Sequence, residues 1–313
     1  MIKIFKSFGG YIEIPQAEQD CWVNVVEPTP VEILKIQEDF GVPADLIQDI
    51  LDVDERSRYE VDDDWELIIL RIPIENPNTE NGVPYYTVPL GIINIGGMTI
   101  TLCSTQNEVL PIEHAALFRG QSQQLIHDEL NFIFKLFIRS GNTYLRYLKR
   151  INNQTTQIEN DLERSIRNQE LNRLLKMEKC LVFFTTSLKG NELVLARINN
   201  SFKKRLTELN EDLLEDAMIE NRQALEMARM YSDIQSGRME AFASVISNNM
   251  NTVMKQLTSV SIILMIPTLI SSMYGMNVPN YLEGSNWAFP IIVIVSLLVA
   301  LLSIYFFRKK DLF

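Results

Sequence analysis

Only two histidines and three cysteines occur in 313 residues. Cys21, Cys103 and Cys180 are widely spaced and odd in number, and no C-x-x-C pair is present, which argues against zinc-ribbon and dithiol chemistry. His114 and His127 stand alone, and no nucleophile, base and orienting group can be assembled, so the sequence does not read as an enzyme. Neither G-x-x-x-x-G-K nor a strand-linked G-x-G-x-x-G occurs, so Gly9-Gly10 and Gly96-Gly97 read as turns rather than phosphate cradles. Basic residues are outnumbered, 29 against 40 acidic, and the net charge of −11 speaks against nucleic acid or anionic lipid as the main partner.

Charge itself is missing from the C-terminal end. Of 69 Asp, Glu, Lys and Arg residues, six lie beyond position 250, so residues 1–250 carry −13 and residues 251–313 carry +2. No charged residue separates Lys255 from Glu283 or Glu283 from Arg308. Each gap exceeds the roughly 20 residues that a helix needs to cross about 30 Å of hydrocarbon. Two membrane spans are therefore expected, at 257–274 and 287–307. The basic residues flank their far ends (Lys255, and Arg308, Lys309 and Lys310), whereas the connecting loop offers only Glu283. By the positive-inside rule both termini are cytoplasmic and the chain is a multi-pass protein of the plasma (inner) membrane. The opening MIKIFKSFGGYIEIPQ has no continuous apolar core or cleavage site of a secretory leader, so the first 250 residues are expected in the cytosol.

Proline is absent from position 121 until Pro267, and glycine in that stretch is limited to Gly141, Gly190 and Gly237. Long helices follow, in three segments with breaks near 167–169 and 199–204. The last, 212–276, would make a rod of about 97 Å at 1.5 Å per residue, running into the membrane. Ahead of it, 22–26, 65–72, 87–95 and 98–103 are rich in β-branched and aromatic residues and read as strands. Thr29-Pro30-Val31-Glu32 is a capping-box pattern, and Gly41 is placed to stop the helix it opens. The fold class is α+β: an α/β domain at 1–120, a helical region and stalk at 121–256, and a transmembrane hairpin with outer loop and basic tail at 257–313.

Along the first span, Asn251, Met254, Thr258, Ser261, Met265, Thr268, Ser272 and Gly275 recur at three- and four-residue spacing and share one stripe. Small and hydroxylated residues suit helix packing in membranes. They equally suit the wall of a water-filled pore, which two helices cannot enclose and a ring of subunits can.

Tyr274-Gly275-Met276-Asn277, at the outer end of that span, resembles the GMN signature of the CorA family of magnesium transporters. The resemblance extends to the N-terminal α/β domain, the acidic helical region, the short outer loop and the basic tail; 49–60 is also similar to the family's N-terminal domain. It implies a funnel-shaped homopentamer that carries Mg²⁺, with Co²⁺ or Ni²⁺ as further cargo, through a lipid bilayer. Gly275, Met276 and Asn277 would form the selectivity filter. Asn251, Met254, Leu257, Met265 and Thr268 match pore-lining positions, joined on the stripe by Ser261 and Ser272, and Met254, Leu257 and Met265 would form an apolar constriction. Regulatory Mg²⁺ would bind between subunits at Glu240, Asp216 and Glu75, and Arg308, Lys309 and Lys310 would form a cytoplasmic basic collar. Mg²⁺ dehydrates reluctantly, so an entrance that accepts hydrogen bonds from its water shell is chemically apt: Asn277 offers an amide carbonyl and Gly275 a close backbone one. Glutamate at 240 and an outer loop with only Glu283 depart from the family's pattern. A zinc transporter of the same superfamily, and a membrane-anchored scaffold or sensor, are the alternative readings.

Overall fold

A computed structural model describes residues 1–6, 13–77, 82–110, 129–164, 168–202, 207–276 and 287–309. Their contacts divide the chain into two compact units, Met1–Gln235 and Ser236–Phe313.

The first unit is built on six strands, β1 (Ile2–Phe5), β2 (Trp22–Val26), β3 (Arg58–Val61), β4 (Trp65–Glu75), β5 (Tyr85–Ile95) and β6 (Met98–Cys103), in the order β1-β2-β6-β5-β4-β3. β2 and β6 run parallel and every other neighbouring pair antiparallel. Two short helices, α1 (Pro30–Phe40) and α2 (Ala44–Leu51), lie between β2 and β3, and α3 (Glu129–Arg164), α4 (Asn168–Phe202) and α5 (Glu208–Tyr274) follow the sheet. The strands read as near-continuous apolar runs because both faces are covered. Leu67, Ile69, Ile93 and Leu102 pack with Ile36, Phe40, Ile47 and Ile50 of α1 and α2. Their alternating neighbours Ile68, Leu70, Ile72 and Ile92 pack with Phe132, Phe137, Leu195 and Ile198 of α3 and α4, and with Leu214 and Ala217 of α5. Three layers result, and the root of α5 is part of the core.

Local signals formed as expected. Thr29 N–H donates to Glu32 Oε2 at 2.8 Å while Glu32 N–H donates to Thr29 Oγ1 at 3.4 Å, closing the capping box. The Thr29 backbone bond is the main reason the Glu32 carboxyl is held down to about 2. Gly41 ends α1 at φ 69°. Gly96 and Gly97, at φ 58° and 75°, make the two-residue link from β5 to β6 that a primed hairpin turn requires; Gly9-Gly10 lies outside the described residues. Several bounds differ. β4 runs on to Glu75, β5 starts at Tyr85, and the break expected near 199–204 is followed by a helix from Glu208 that ends at Tyr274. β1, β3 and α2 are additional elements.

β3 stops pairing with β4 at Arg58 opposite Ile69, which leaves the backbone of Arg71 at an open edge. Asn191 of α4 fills the place of the missing strand. Its Oδ1 accepts from Arg71 N–H at 2.9 Å and its Nδ2 donates to Arg71 C=O at 2.8 Å, and the Ser57 hydroxyl donates to the same Oδ1 at 2.8 Å. The Arg71 guanidinium reaches carbonyls of Val53 and Thr87, each at 2.8 Å, and the hydroxyl of Ser187 at 3.2 Å. Burial pushes its pKa down.

Two glycines mark close approaches. A Cβ on Gly91 would lie 2.3 Å from Ile50 Cδ1 and 2.6 Å from Ile50 Cγ1, and Ile50 is fully buried. Gly91→Ala therefore displaces the whole Ile50 side chain and should cost about 1–3 kcal/mol, read as a lower midpoint of thermal unfolding. At Gly141 of α3, a Cβ would meet Glu220 Cβ at 3.1 Å, so α3 and α5 cross closely there.

Candidate functional site

The second unit holds the end of α5 and α6 (Ala288–Lys309), each with a stretch long and apolar enough to cross a membrane. In both, only 6% of the apolar window is buried, which is unlike a core helix of a soluble protein. The least exposed residues of α5 in this region are Ser259, Ile263, Ile266, Pro267, Ile270 and Tyr274. On α6, Ala288 and Ser296 are buried. At about 100° per residue, the covered positions of α5 centre roughly opposite the stripe of Met254, Thr258, Ser261, Met265, Thr268 and Ser272. All of these stripe residues are exposed, as are Asn251 and Leu257, and Met265 is 67% exposed. Packing within the hairpin thus does not account for the stripe.

Its hydroxyls donate to their own helix: Thr258 to Met254 O at 2.8 Å, Ser261 to Leu257 O at 2.8 Å and Thr268 to Met265 O at 2.7 Å. A hydroxyl satisfied in this way keeps oxygen lone pairs to offer outward. The face therefore presents acceptors suited to the water hydrogens of a hydrated cation.

α5 ends at Tyr274, with Gly275 N–H donating to Ser271 O at 3.0 Å. A helix end leaves its last carbonyls without intrahelical donors and carries partial negative charge, which favours cations. Gly275 and Met276 are exposed beside that end, whereas Asn277 lies outside the described residues.

Of the carboxylates expected to regulate, Glu75 and Asp216 belong to the first unit and Glu240 to the second. Glu75 pairs with Arg150 at 2.7 Å, the two side chains being 48% and 46% exposed. It stands in the wall of a cavity of about 480 Å³ together with Glu27, Glu108 and Tyr147. Arg146 and Arg150 lie over the Tyr147 ring at 5.6 and 5.5 Å. Burial, and then the charges of Glu108 and Glu75, push the Tyr147 hydroxyl up to about 12. Asp216 and Glu240 are both exposed on α5. Among the described residues of one chain, no three His, Cys, Asp or Glu side chains group as metal ligands. Arg308 and Lys309 are exposed in the last turn of α6, and Lys310 lies outside the described residues. His114 and His127 do too. All three cysteines are free and buried, and burial pushes the Cys103 and Cys180 thiols up to about 11. The Arg150 partner of Glu75 and an apolar groove between α5 and α6 had no sequence signal.

Comparison with known proteins decides the family. The family model described as CorA-like Mg2+ transporter protein matches residues 17–309. The chain belongs to the CorA family. Among CorA relatives, the cobalt/magnesium transport protein CorA of Methanocaldococcus jannaschii is 24% identical over 292 residues, 92% of this chain and 90% of that one. The complete structure of the CorA magnesium transporter from the same organism has a TM-score of 0.79 at 22% identity, covering 99% of this chain and 98% of that one. The cytoplasmic domain of ZntB from Vibrio parahaemolyticus is less alike, with a TM-score of 0.57 at 16% identity over 80% of this chain and 97% of that one. The mixed α/β N-terminal part, the long helix and the two apolar C-terminal helices are those of the CorA fold.

Proposed function

We propose that this CorA-family chain conducts Mg²⁺ across the plasma (inner) membrane as a homopentamer, with α5 innermost, both termini cytoplasmic, and Co²⁺ or Ni²⁺ as further cargo. The observation that carries this reading is the stripe of Met254, Thr258, Ser261, Met265, Thr268 and Ser272, exposed and turned away from the covered face of α5. A ring of such stripes makes a lumen lined by hydroxyl oxygens and thioethers, and its apolar level at Met254, Leu257 and Met265 closes by dewetting. A carboxylate in the span would bind a divalent ion too tightly for release, and none stands between Lys255 and Glu283. Zinc sites favour His, Cys and carboxylate ligands; the span has none of these, which favours Mg²⁺ over Zn²⁺. Gly275, Met276 and Asn277, at the cation-favouring end of α5, select the hydrated ion.

The test is uptake by vesicles containing the purified chain under an inside-negative potential. Saturable Mg²⁺ entry that Co²⁺ and Ni²⁺ compete with is expected. Saturating Zn²⁺ entry indifferent to excess Mg²⁺ would reverse the ion assignment, and no flux of any divalent cation would leave the scaffold reading.

Closure by cytosolic Mg²⁺ would use Asp216, Glu240 and Glu75 in bridges between subunits, and the Glu75–Arg150 pair does not obstruct this. A half-exposed ion pair contributes at most about 1 kcal/mol, so a divalent ion can displace the arginine. The double variant Asp216→Asn with Glu240→Gln should need about tenfold more internal Mg²⁺ to close. Unchanged inhibition in the same vesicle assay removes both residues from the mechanism.

A further inference from the structure

Within the second unit, Val260, Ile263 and Leu264 of α5 and Ile304 and Arg308 of α6 wall a groove of about 420 Å³. Four of the five walls are aliphatic, and the fifth is a guanidinium in the last turn of α6. Arg308 forms no ion pair among the described residues. The whole chain is acidic, yet residues 251–313 carry +2, so this end has no surplus carboxylate to neutralise it. An apolar slot ending in a cation that has no ion pair among the described residues, at the level where a spanning helix leaves the hydrocarbon, is complementary to an amphiphile with a hydrocarbon tail and an anionic head. We infer that the groove holds one acyl chain of an anionic phospholipid, with its phosphate on the Arg308 guanidinium.

The chemistry discriminates among occupants. A guanidinium forms paired hydrogen bonds to phosphate oxygens, and the cytoplasmic leaflet carries anionic lipids that basic residues attract. A zwitterionic lipid brings its own ammonium to compete with Arg308. A helix from a second copy, about 10 Å across, would cover the aliphatic walls while leaving the guanidinium without an anion. The inference rests on the membrane placement of α5 and α6 proposed above.

The experiment reconstitutes the full chain into phosphatidylcholine vesicles with or without phosphatidylglycerol, checks insertion by flotation, and counts lipids retained after mild detergent extraction by native mass spectrometry. The parent should retain phosphatidylglycerol in preference to phosphatidylcholine. Arg308→Gln should lower that retention about fivefold, and Ile304→Trp, which fills the slot, should lower it comparably, while both variants still float. Lys309→Gln, which removes the same charge outside the groove, should lower retention clearly less than Arg308→Gln does, and an equal loss in the two variants would overturn the inference. Equal retention of both lipids, or Arg308→Gln matching the parent, overturns the inference. So does an Ile304→Trp variant whose subunit assembly changes while its bound lipid does not, because a second copy then covers the groove. Displacement of the lipid by inorganic phosphate alone would assign Arg308 to a free anion and also overturn it. Failure to float would instead sink the membrane placement itself.

Discussion

Asn277→Ala should reduce Mg²⁺ entry into vesicles by about a hundredfold or more while the protein still inserts and assembles. Hydrogen bonds to charged groups contribute roughly 1.5–3 kcal/mol each, and the proposed ring of subunits would lose its amides together, so the expected effect exceeds that of one missing contact. The residues before it prepare the position. α5 stops at Tyr274, Gly275 is bonded back to Ser271, and the helix end at Tyr274 carries partial negative charge. If Asn277 has the proposed role, its loss leaves a helix end that still attracts cations but removes the acceptors for a water shell, so binding and selectivity should fail together. Asn277→Asp separates grip from charge: it should bind divalent ions more tightly and pass them more slowly. Uptake by Asn277→Ala at the parental rate, with assembly verified by size-exclusion chromatography, would remove the motif from the permeation route.

The largest expected loss of stability belongs to Asn191→Leu. Leucine keeps the branching and heavy-atom count of a side chain that is 1% exposed, but removes two bonds to the Arg71 backbone and the acceptor of the Ser57 hydroxyl. The Arg71 carbonyl keeps the Tyr144 hydroxyl, which donates to it at 3.0 Å. The Arg71 N–H is left without the acceptor that completed its strand edge. A buried polar group deprived of its partner costs about 1–3 kcal/mol, and with the Ser57 bond the total is about 3–5 kcal/mol, a large share of the 5–15 kcal/mol that typically holds a domain together. Asn191→Asp, which can accept but not donate, should fall between the two. Thermal unfolding of the purified variants measures this, and a leucine variant as stable as the parent would show that the carboxamide is not what closes the edge of β4.

Features legible in the sequence are those whose cause is local. The capping box at Thr29, the stop at Gly41 and the Gly96-Gly97 turn each depend on a few adjacent residues. The apolar runs of β4 and β5 are visible because both of their faces are buried. β1 is four residues long, α2 is eight, and β3 (RYEV) is a partly polar edge strand; such short pieces carry too little periodicity and owe their form to the sheet they join. Contacts across long separations were not legible at all. Asn191 and Arg71 lie 120 residues apart, and Glu75 and Arg150 lie 75 apart. The polar stripe on α5 is an intermediate case, because its period is written in the sequence while the direction it faces depends on where the hairpin covers the helix.

The burial of Cys21, Cys103 and Cys180 bears on how that direction can be mapped. Thiolates are the species that react with maleimides and methanethiosulfonates; the Cys103 and Cys180 thiols, held near 11, are almost entirely protonated at neutral pH, and burial raises the Cys21 thiol as well. The native chain is therefore close to a silent background for such reagents. Single cysteines placed at Met254, Ser261, Met265 or Thr268 can be scanned with water-soluble labels without first stripping the protein of its own sulfhydryls.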